Sequence, residues 1–200
     1  MNERELIVVY GKPGTSEALA ETVARERSAE LLSTDERVRR IANLAITSAY
    51  EDDVLEYMKH ARHQIEPDVA VVSGIIYEAS YAADGKESIV ISGYPYDPSQ
   101  AHDLRQLAQD SDRTLRVIET TAPDATALEA LVHNEHRHHT PDQAEQRLRY
   151  HKATISATRI ALLVSGVMIP HPIDTSDSND TLRHMANGVL REQEQRKLIV

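Results

Sequence analysis

The chain of 200 residues contains no cysteine, no phenylalanine and no tryptophan. Without cysteine there is no disulfide, no thiolate nucleophile and no Cys-based zinc site, a composition that suits a reducing compartment. Without Phe or Trp the core must come from Leu, Ile, Val and Ala, and the eight Tyr contribute where a hydroxyl finds a partner. The joint loss of three residue types fits lineage drift and deliberate editing of the alphabet alike. Basic charge is also short: the formal net charge is −10, with a pI near 5.4. So acidic a chain lacks the footprint of a nucleic-acid binder and would be repelled by anionic lipid. No apolar run reaches the length of a membrane span, and the opening MNEREL has neither the basic start nor the apolar core of a signal peptide. The expectation is a cytoplasmic protein with neither nucleic acid nor membrane as a partner.

What is present alternates between short apolar runs and helical periodicity. Glu5–Tyr10 reads as a strand buried on both faces, stopped by Gly11-Lys12-Pro13-Gly14. Thr15 or Ser16 can cap a helix to about Arg27, followed by a short strand over 31–34. Helical periodicity then covers 35–48, 51–63 and 67–82 before a strand at 88–92. A helix over 98–110, a strand over 115–119 and a helix over 123–133 with proline in its first turn come next. A long helix over 141–163 leads to Gly166-Val167-Met168-Ile169-Pro170, read as the last strand, and Asp177 or Asn179 starts a final helix to about Gln195. Five strands alternating with helices predict an α/β fold: a parallel sheet covered on both faces, with its ligand site at the carboxyl ends of the strands. Nothing divides the chain, so one domain is expected over 1–200.

Gly11-Lys12-Pro13-Gly14-Thr15-Ser16-Glu17-Ala18-Leu19 resembles the adenylate kinase phosphate loop, G-x-P-G-S-G-K-G-T. Leu32-Ser33-Thr34-Asp35-Glu36-Arg37-Val38-Arg39 resembles that family's L-S-T-G-D-L-L-R segment, and Ile91-Ser92-Gly93-Tyr94-Pro95-Tyr96 its I-D-G-Y-P-R, with Gln100 at the family's glutamine. Gln146-Arg147-Leu148 and Tyr150-His151-Lys152-Ala153-Thr154 resemble K-R-L and Y-Y-K-A-T, and Ile173-Asp174-Thr175-Ser176-Asp177 echoes the turn after the family's last strand. The resemblance spans nearly the whole chain in the family's order. It implies a P-loop NTPase-like five-stranded parallel sheet made of 1–34, 84–130 and 141–200. It further implies a helical nucleoside-monophosphate-binding insertion at about 35–83 and a short lid at about 131–141.

Position by position, the resemblance implies a degenerate donor site. Gly11 and Gly14 remain, but Ser16 replaces the glycine before the Lys, Glu17 replaces the Lys itself, and Leu19 replaces the magnesium-binding Thr. At ~4 Å and an effective dielectric near 20 a unit-charge contact is worth about 4 kcal/mol, so putting Glu17 beside a polyphosphate is a penalty. Lys12 lies nearby at a position that the family does not aim at phosphate. Tyr96 replaces an arginine of the phosphoryl clamp, Ser92 a magnesium-organising Asp, and the arginine before the lid falls near Ala130 or His133. Of the clamp, Arg147 matches cleanly, as does Arg39 on the monophosphate side, while Arg137 matches within a residue. Since phosphoryl transfer rests on positioning and charge neutralisation, transfer is expected to be lost and ATP to stay out.

The acceptor side is better kept. Thr34, Arg39, Gly93 and Gln100 match positions that contact AMP in the family, so AMP or ADP is the expected ligand; the plain alternative is that these residues hold the fold. Two classes of function follow: a pseudoenzyme serving nucleotide binding or contact with an unidentified protein partner, or a surviving nucleoside monophosphate kinase with Lys12, Arg39, Arg137 and Arg147 as a reduced clamp. No cofactor is required in the first, and magnesium enters only in the second. His133, His136, His138 and His139 suggest a metal site, but without Cys or a carboxylate at ligand spacing a solvated loop is the better reading, and no metal is assigned. Glu17, Glu21, Glu26 and Glu30 read as the solvated charged face of one helix.

Overall fold

The computed structural model describes residues 4–60, 68–133, 140–164, 172–174 and 179–197. The first strand, β1 (Glu5–Tyr10), is buried at every position. Its side chains alternate, Leu6, Val8 and Tyr10 to one face and Ile7 and Val9 to the other. An uninterrupted apolar run therefore lies at the centre of a sheet covered on both sides. Around it run α1 (Glu17–Arg27), β2 (Glu30–Ser33), α2 (Thr34–Ala42), α3 (Glu51–His60), α4 (Val69–Ala82), β3 (Ser88–Ser92), α5 (Pro98–Asp110), β4 (Thr114–Thr121), α6 (Asp124–Val132), α7 (Pro141–Val164), β5 (Ile173–Asp174) and α8 (Asn179–Lys197). The five strands are all parallel, in the order β2-β3-β1-β4-β5.

Two layers fill the space on either side. Leu6, Val8, Ile89, Ile91 and Val117 meet Val72 and Ile76 of α4, Leu104 and Leu107 of α5 and Leu162 of α7. On the opposite face Ile7, Val9, Val90, Ile118 and Ile173 meet Leu19 and Val23 of α1 and Leu182, Ala186 and Leu190 of α8. A third, smaller cluster of Val38, Ile41, Val54, Tyr57 and Ile75 joins α2, α3 and α4. At about 1.5–3 kcal/mol for each fully buried aliphatic side chain, the aliphatic layers supply the core that the missing Phe and Trp do not.

Several boundaries differ from the sequence expectation. The helix read over 35–48 ends at Ala42, because Leu44 takes a left-handed φ of 54° and the chain closes with Leu44 N–H to Ile41 O and Ala45 N–H to Arg40 O. Ser28 and Asp112 end α1 and α5 in the same way, at φ 50° each, so this glycine-poor chain closes three helices on non-glycine residues. Thr34 belongs to α2 and not to the strand, with Ser33 as N-cap accepting the Glu36 N–H at 3.4 Å. Pro123 is the N-cap of α6 and lies just before its first turn. The last described strand is Ile173–Asp174, pairing with Thr120 and Thr121. The strand expected at 166–170 lies outside the described residues, and Ile173-Asp174, read as the turn after the last strand, is itself strand. Among the described residues no helix is long and apolar enough to cross a membrane.

Candidate functional site

At the carboxyl ends of β1, β2 and β3 three segments converge: the loop 11–16, the start of α2 and the turn 93–96. The helix α7 brings Arg147 and His151 to the same place. Between them is a cavity of about 20 Å³ lined by Gly11, Ser16, Glu17, Gly93, Tyr96, Arg147 and His151 among others. That is room for about one water molecule. A larger recess of about 750 Å³ lies on α3, but Asp52, Asp53, Leu55, Glu56, Met58 and Lys59 line it from a single helix and converge on nothing.

The loop closes on itself. Thr15 donates to Lys12 O through Oγ1 at 2.8 Å and through its N–H at 3.2 Å. Gly14 sits at φ 80°, and Pro13 lines the cavity. Ser16 is the N-cap of α1 yet makes no side-chain cap bond, so the first amides of the helix need another acceptor. The backbone N–H groups of Ser16 and of Glu17 itself favour the charged form of the Glu17 carboxyl. Its Oε2 is sealed from solvent and has no hydrogen-bond partner. Burial first, and then the negative charge of Asp35, push the Glu17 carboxyl up to about 7, against the pull of those amides and of Arg147. The solvated-face reading is thereby corrected for Glu17: its carboxyl faces inward, while Glu21 stays exposed.

The cations of the site are engaged elsewhere. Lys12 Nζ donates to Ala122 O at 2.5 Å and to Asp124 Oδ1 at 2.7 Å, on the β4–α6 side of the loop. Arg147 is 6% exposed and grips Asp35 with both arms, Nη1 to Oδ2 at 3.1 Å and Nη2 to Oδ1 at 3.2 Å. Arg39, one turn further along α2, is half-exposed, makes a loose contact of 3.9 Å with Glu36 and has a buried Nε without a hydrogen-bond partner. Leu19, at the magnesium position of the resemblance, is fully buried in the core beside Ile7 and Val9. Arg137, His136, His138 and His139 lie outside the described residues; His133 Nδ1 is 2.9 Å from Glu129 O, one turn back on its own helix.

Thr34 and Gly93 do come together. Thr34 Oγ1 donates to Ser92 O at 3.0 Å, and Thr34 is the side chain nearest the open face of Gly93. Gln100 is fully buried, with Oε1 accepting the Tyr96 N–H at 2.9 Å and Nε2 donating to Val69 O at 3.3 Å. Its amide spans the turn after β3 and the start of α4, so its polar groups are occupied within the chain. Tyr94 is buried with its hydroxyl 3.0 Å from Ser73 Oγ, and Tyr96 packs edge-on against Tyr150.

Two residues of the cluster escaped sequence reasoning. His151 is 3% exposed, with Nε2 sealed and unpartnered, and burial followed by the charges of Arg147 and Lys12 lowers it to about 4. Asp35 supplies the carboxylate on Arg147. A signal existed for it: Asp35 stands where the resembled segment has glycine, just as Glu17 stands where the loop has lysine. Two carboxylates at positions where the resembled segments have none, around an arginine that matches them, point to an internal ion cluster. A scan against protein-family models finds no match to this chain, and a search of curated proteins finds none either.

Proposed function

We propose that this chain is an adenylate-kinase-like pseudoenzyme: a nucleoside-monophosphate-kinase fold that no longer transfers phosphate and serves as a binding module, for AMP or ADP on the acceptor side or for a protein partner. The observation that carries the reading is that Arg147 grips Asp35 with both arms while Glu17, at the first position of α1, lines the same cavity, where an intact loop offers helix amides to phosphate. A carboxyl at that helix end repels a polyphosphate when it is ionised. Lys12, tied to Asp124, and Arg147, tied to Asp35, are withdrawn in the same direction. Electrostatic stabilisation supplies most of the rate in phosphoryl transfer, and removal of a single preorganised donor costs roughly a hundredfold or more. Thr34 and Gly93 stay side by side at the strand ends, which favours the acceptor side for any remaining nucleotide contact.

The test has two arms. A coupled assay for ADP formation from AMP and ATP should stay at background for the unmodified protein; activity above background favours the surviving kinase instead. Isothermal titration with AMP, ADP and ATP should give heat with AMP or ADP and none with ATP. No heat with any nucleotide at millimolar concentration removes the nucleotide half of the proposal and leaves the protein-contact half.

A further inference from the structure

The Asp35–Arg147 pair ties together two helices whose main packing partners differ. The helix α2 packs on α3, α4 and β2, whereas α7 packs on α5 and α6. Asp35 and Arg147 link α2 to α7 with a bidentate contact, both side chains about 5% exposed. Beside this bridge lie two sealed and unpartnered polar atoms, Glu17 Oε2 and His151 Nε2, and both residues line the same 20 Å³ cavity. We propose that Asp35 and Arg147 form a latch between α2 and α7, closed while Glu17 is neutral and released when Glu17 ionises.

The physical case is one of hydration. An ionised carboxylate with one oxygen sealed beside a cavity for one water is under-hydrated on that side, and here it also feels a second carboxylate. Separating α2 from α7 lets water reach both. A conformation that hydrates Glu17 restores its ordinary acidity, so linkage requires that conformation to gain population as pH rises. Among the described residues, the charged and titratable groups around the cavity include Glu17 on α1, Asp35 and Arg39 on α2, Arg147 and His151 on α7, Lys12 in the loop, and the tyrosines Tyr10, Tyr94 and Tyr96. Arginine and lysine keep their charge across neutral pH. His151, lowered to about 4, stays neutral there, and the buried Tyr10 and Tyr94 hydroxyls are raised above their ordinary range. The Glu17 carboxyl is the one seen raised to neutral pH among the described residues. The latch does not depend on nucleotide binding; its release uncovers Arg147 and the 93–96 turn to whatever the site takes.

The absence of cysteine makes the test direct, because two introduced cysteines carry the only labels. Arg40→Cys on α2 and Glu145→Cys on α7, both exposed, accept spin labels for distance measurement across the latch. A carboxyl titrating at 4.5 when hydrated and about 7 when sealed raises the open-to-closed ratio about tenfold between pH 6 and pH 8. The ratio of longer- to shorter-distance populations should grow by about that factor in the otherwise unmodified chain. In a Glu17→Gln background it should stay small at every pH, and in Asp35→Asn it should be large at every pH, with circular dichroism checking that each variant is folded. The proposal is overturned if the unmodified chain shows no pH dependence, if the rise persists in Glu17→Gln (which would assign it to another group), or if a folded Asp35→Asn is as closed as the parent. Should Asp35→Asn fail to fold, the comparison of the parent with Glu17→Gln decides alone.

Discussion

Lys12 and Asp124 form an ion pair of 2.7 Å that turns the only lysine of the 11–16 loop away from the cavity that the loop lines. Lys152 of α7 reaches the same carboxylate, so Asp124 bridges the loop to α7 through two lysines. Their hydrogen bonds hold its carboxyl down at about 2, despite its exposed position. With Lys12→Met, Asp124 should titrate closer to the ordinary carboxylate range, Lys152 keeping part of the shift. Carbon-detected NMR titration of the Asp124 carboxyl reads this directly. An unchanged midpoint in the variant would mean that Lys12 contributes nothing to the pair in solution.

Glu17 gives stability a sign at neutral pH. Its folded-state midpoint, about 7, lies above the ordinary 4.5, so the folded chain holds this proton more tightly than the unfolded one does. The associated stability is complete below about 4.5 and is lost as pH rises through about 7. His151 acts oppositely: lowered from 6.5 to about 4, it costs stability as pH falls across that interval. The two slopes offset one another in mildly acidic solution. Glu17→Gln removes one of them. The variant should match the parent in urea unfolding below pH 4.5 and exceed it above pH 7 by up to about 3 kcal/mol, at about 1.4 kcal/mol per pKa unit. The gain is smaller to the extent that the parent relieves the charge by opening its latch. A constant difference at all pH values would assign the effect to packing and not to the proton.

The extent to which the sequence revealed this arrangement differs by element. β1 was legible because six consecutive apolar-flanked residues buried on both faces permit only a central strand. Ser88–Ser92 was legible for the same reason, bounded by Gly93 and Pro95. The end of α2 was not, because Asn43-Leu44-Ala45 carries no glycine or proline, and a left-handed leucine is invisible to periodicity. The strand at Ile173–Asp174 was not legible, because a two-residue strand carries no pattern and its pairing with Thr120 and Thr121 is a long-range fact; the run at 166–170 lies outside the described residues. In the site, the departures of Ser16, Glu17 and Leu19 from the resembled loop could be seen from the sequence alone. Their consequence could not: that Glu17 turns inward, and that Arg147 finds Asp35, depends on α1, α2 and α7 meeting at one point.

Gln100 separates a ligand role from a structural one. Its amide satisfies the Tyr96 N–H and the Val69 carbonyl in a fully buried position. Truncation in Gln100→Ala strands both groups and opens a void, which should cost about 2–4 kcal/mol. Thermal or urea unfolding without nucleotide measures it. Were Gln100 kept only for a ligand, the apo protein would lose almost nothing.

Gly11 makes a second case in which packing accounts for a residue of the loop. A Cβ there would meet Thr120 Oγ1 at 1.8 Å and Thr120 O at 2.9 Å. The first neighbour is a side-chain atom that donates to Tyr10 O at 3.2 Å; the second is backbone of β4, whose Thr120 pairs with Ile173 of β5. Gly11→Ala therefore forces either the loop away from the sheet or β4 away from β1, and should cost about 3 kcal/mol as overpacking. Adding Thr120→Ala removes the side-chain clash but not the carbonyl one. The double variant should recover part of the loss relative to the two single changes, a coupling that a double-mutant cycle reads from unfolding alone. If Gly11→Ala is as stable as the parent, the close approach of loop and sheet described here is not the solution structure. If the cycle shows no coupling, Thr120 is not the neighbour that the glycine serves.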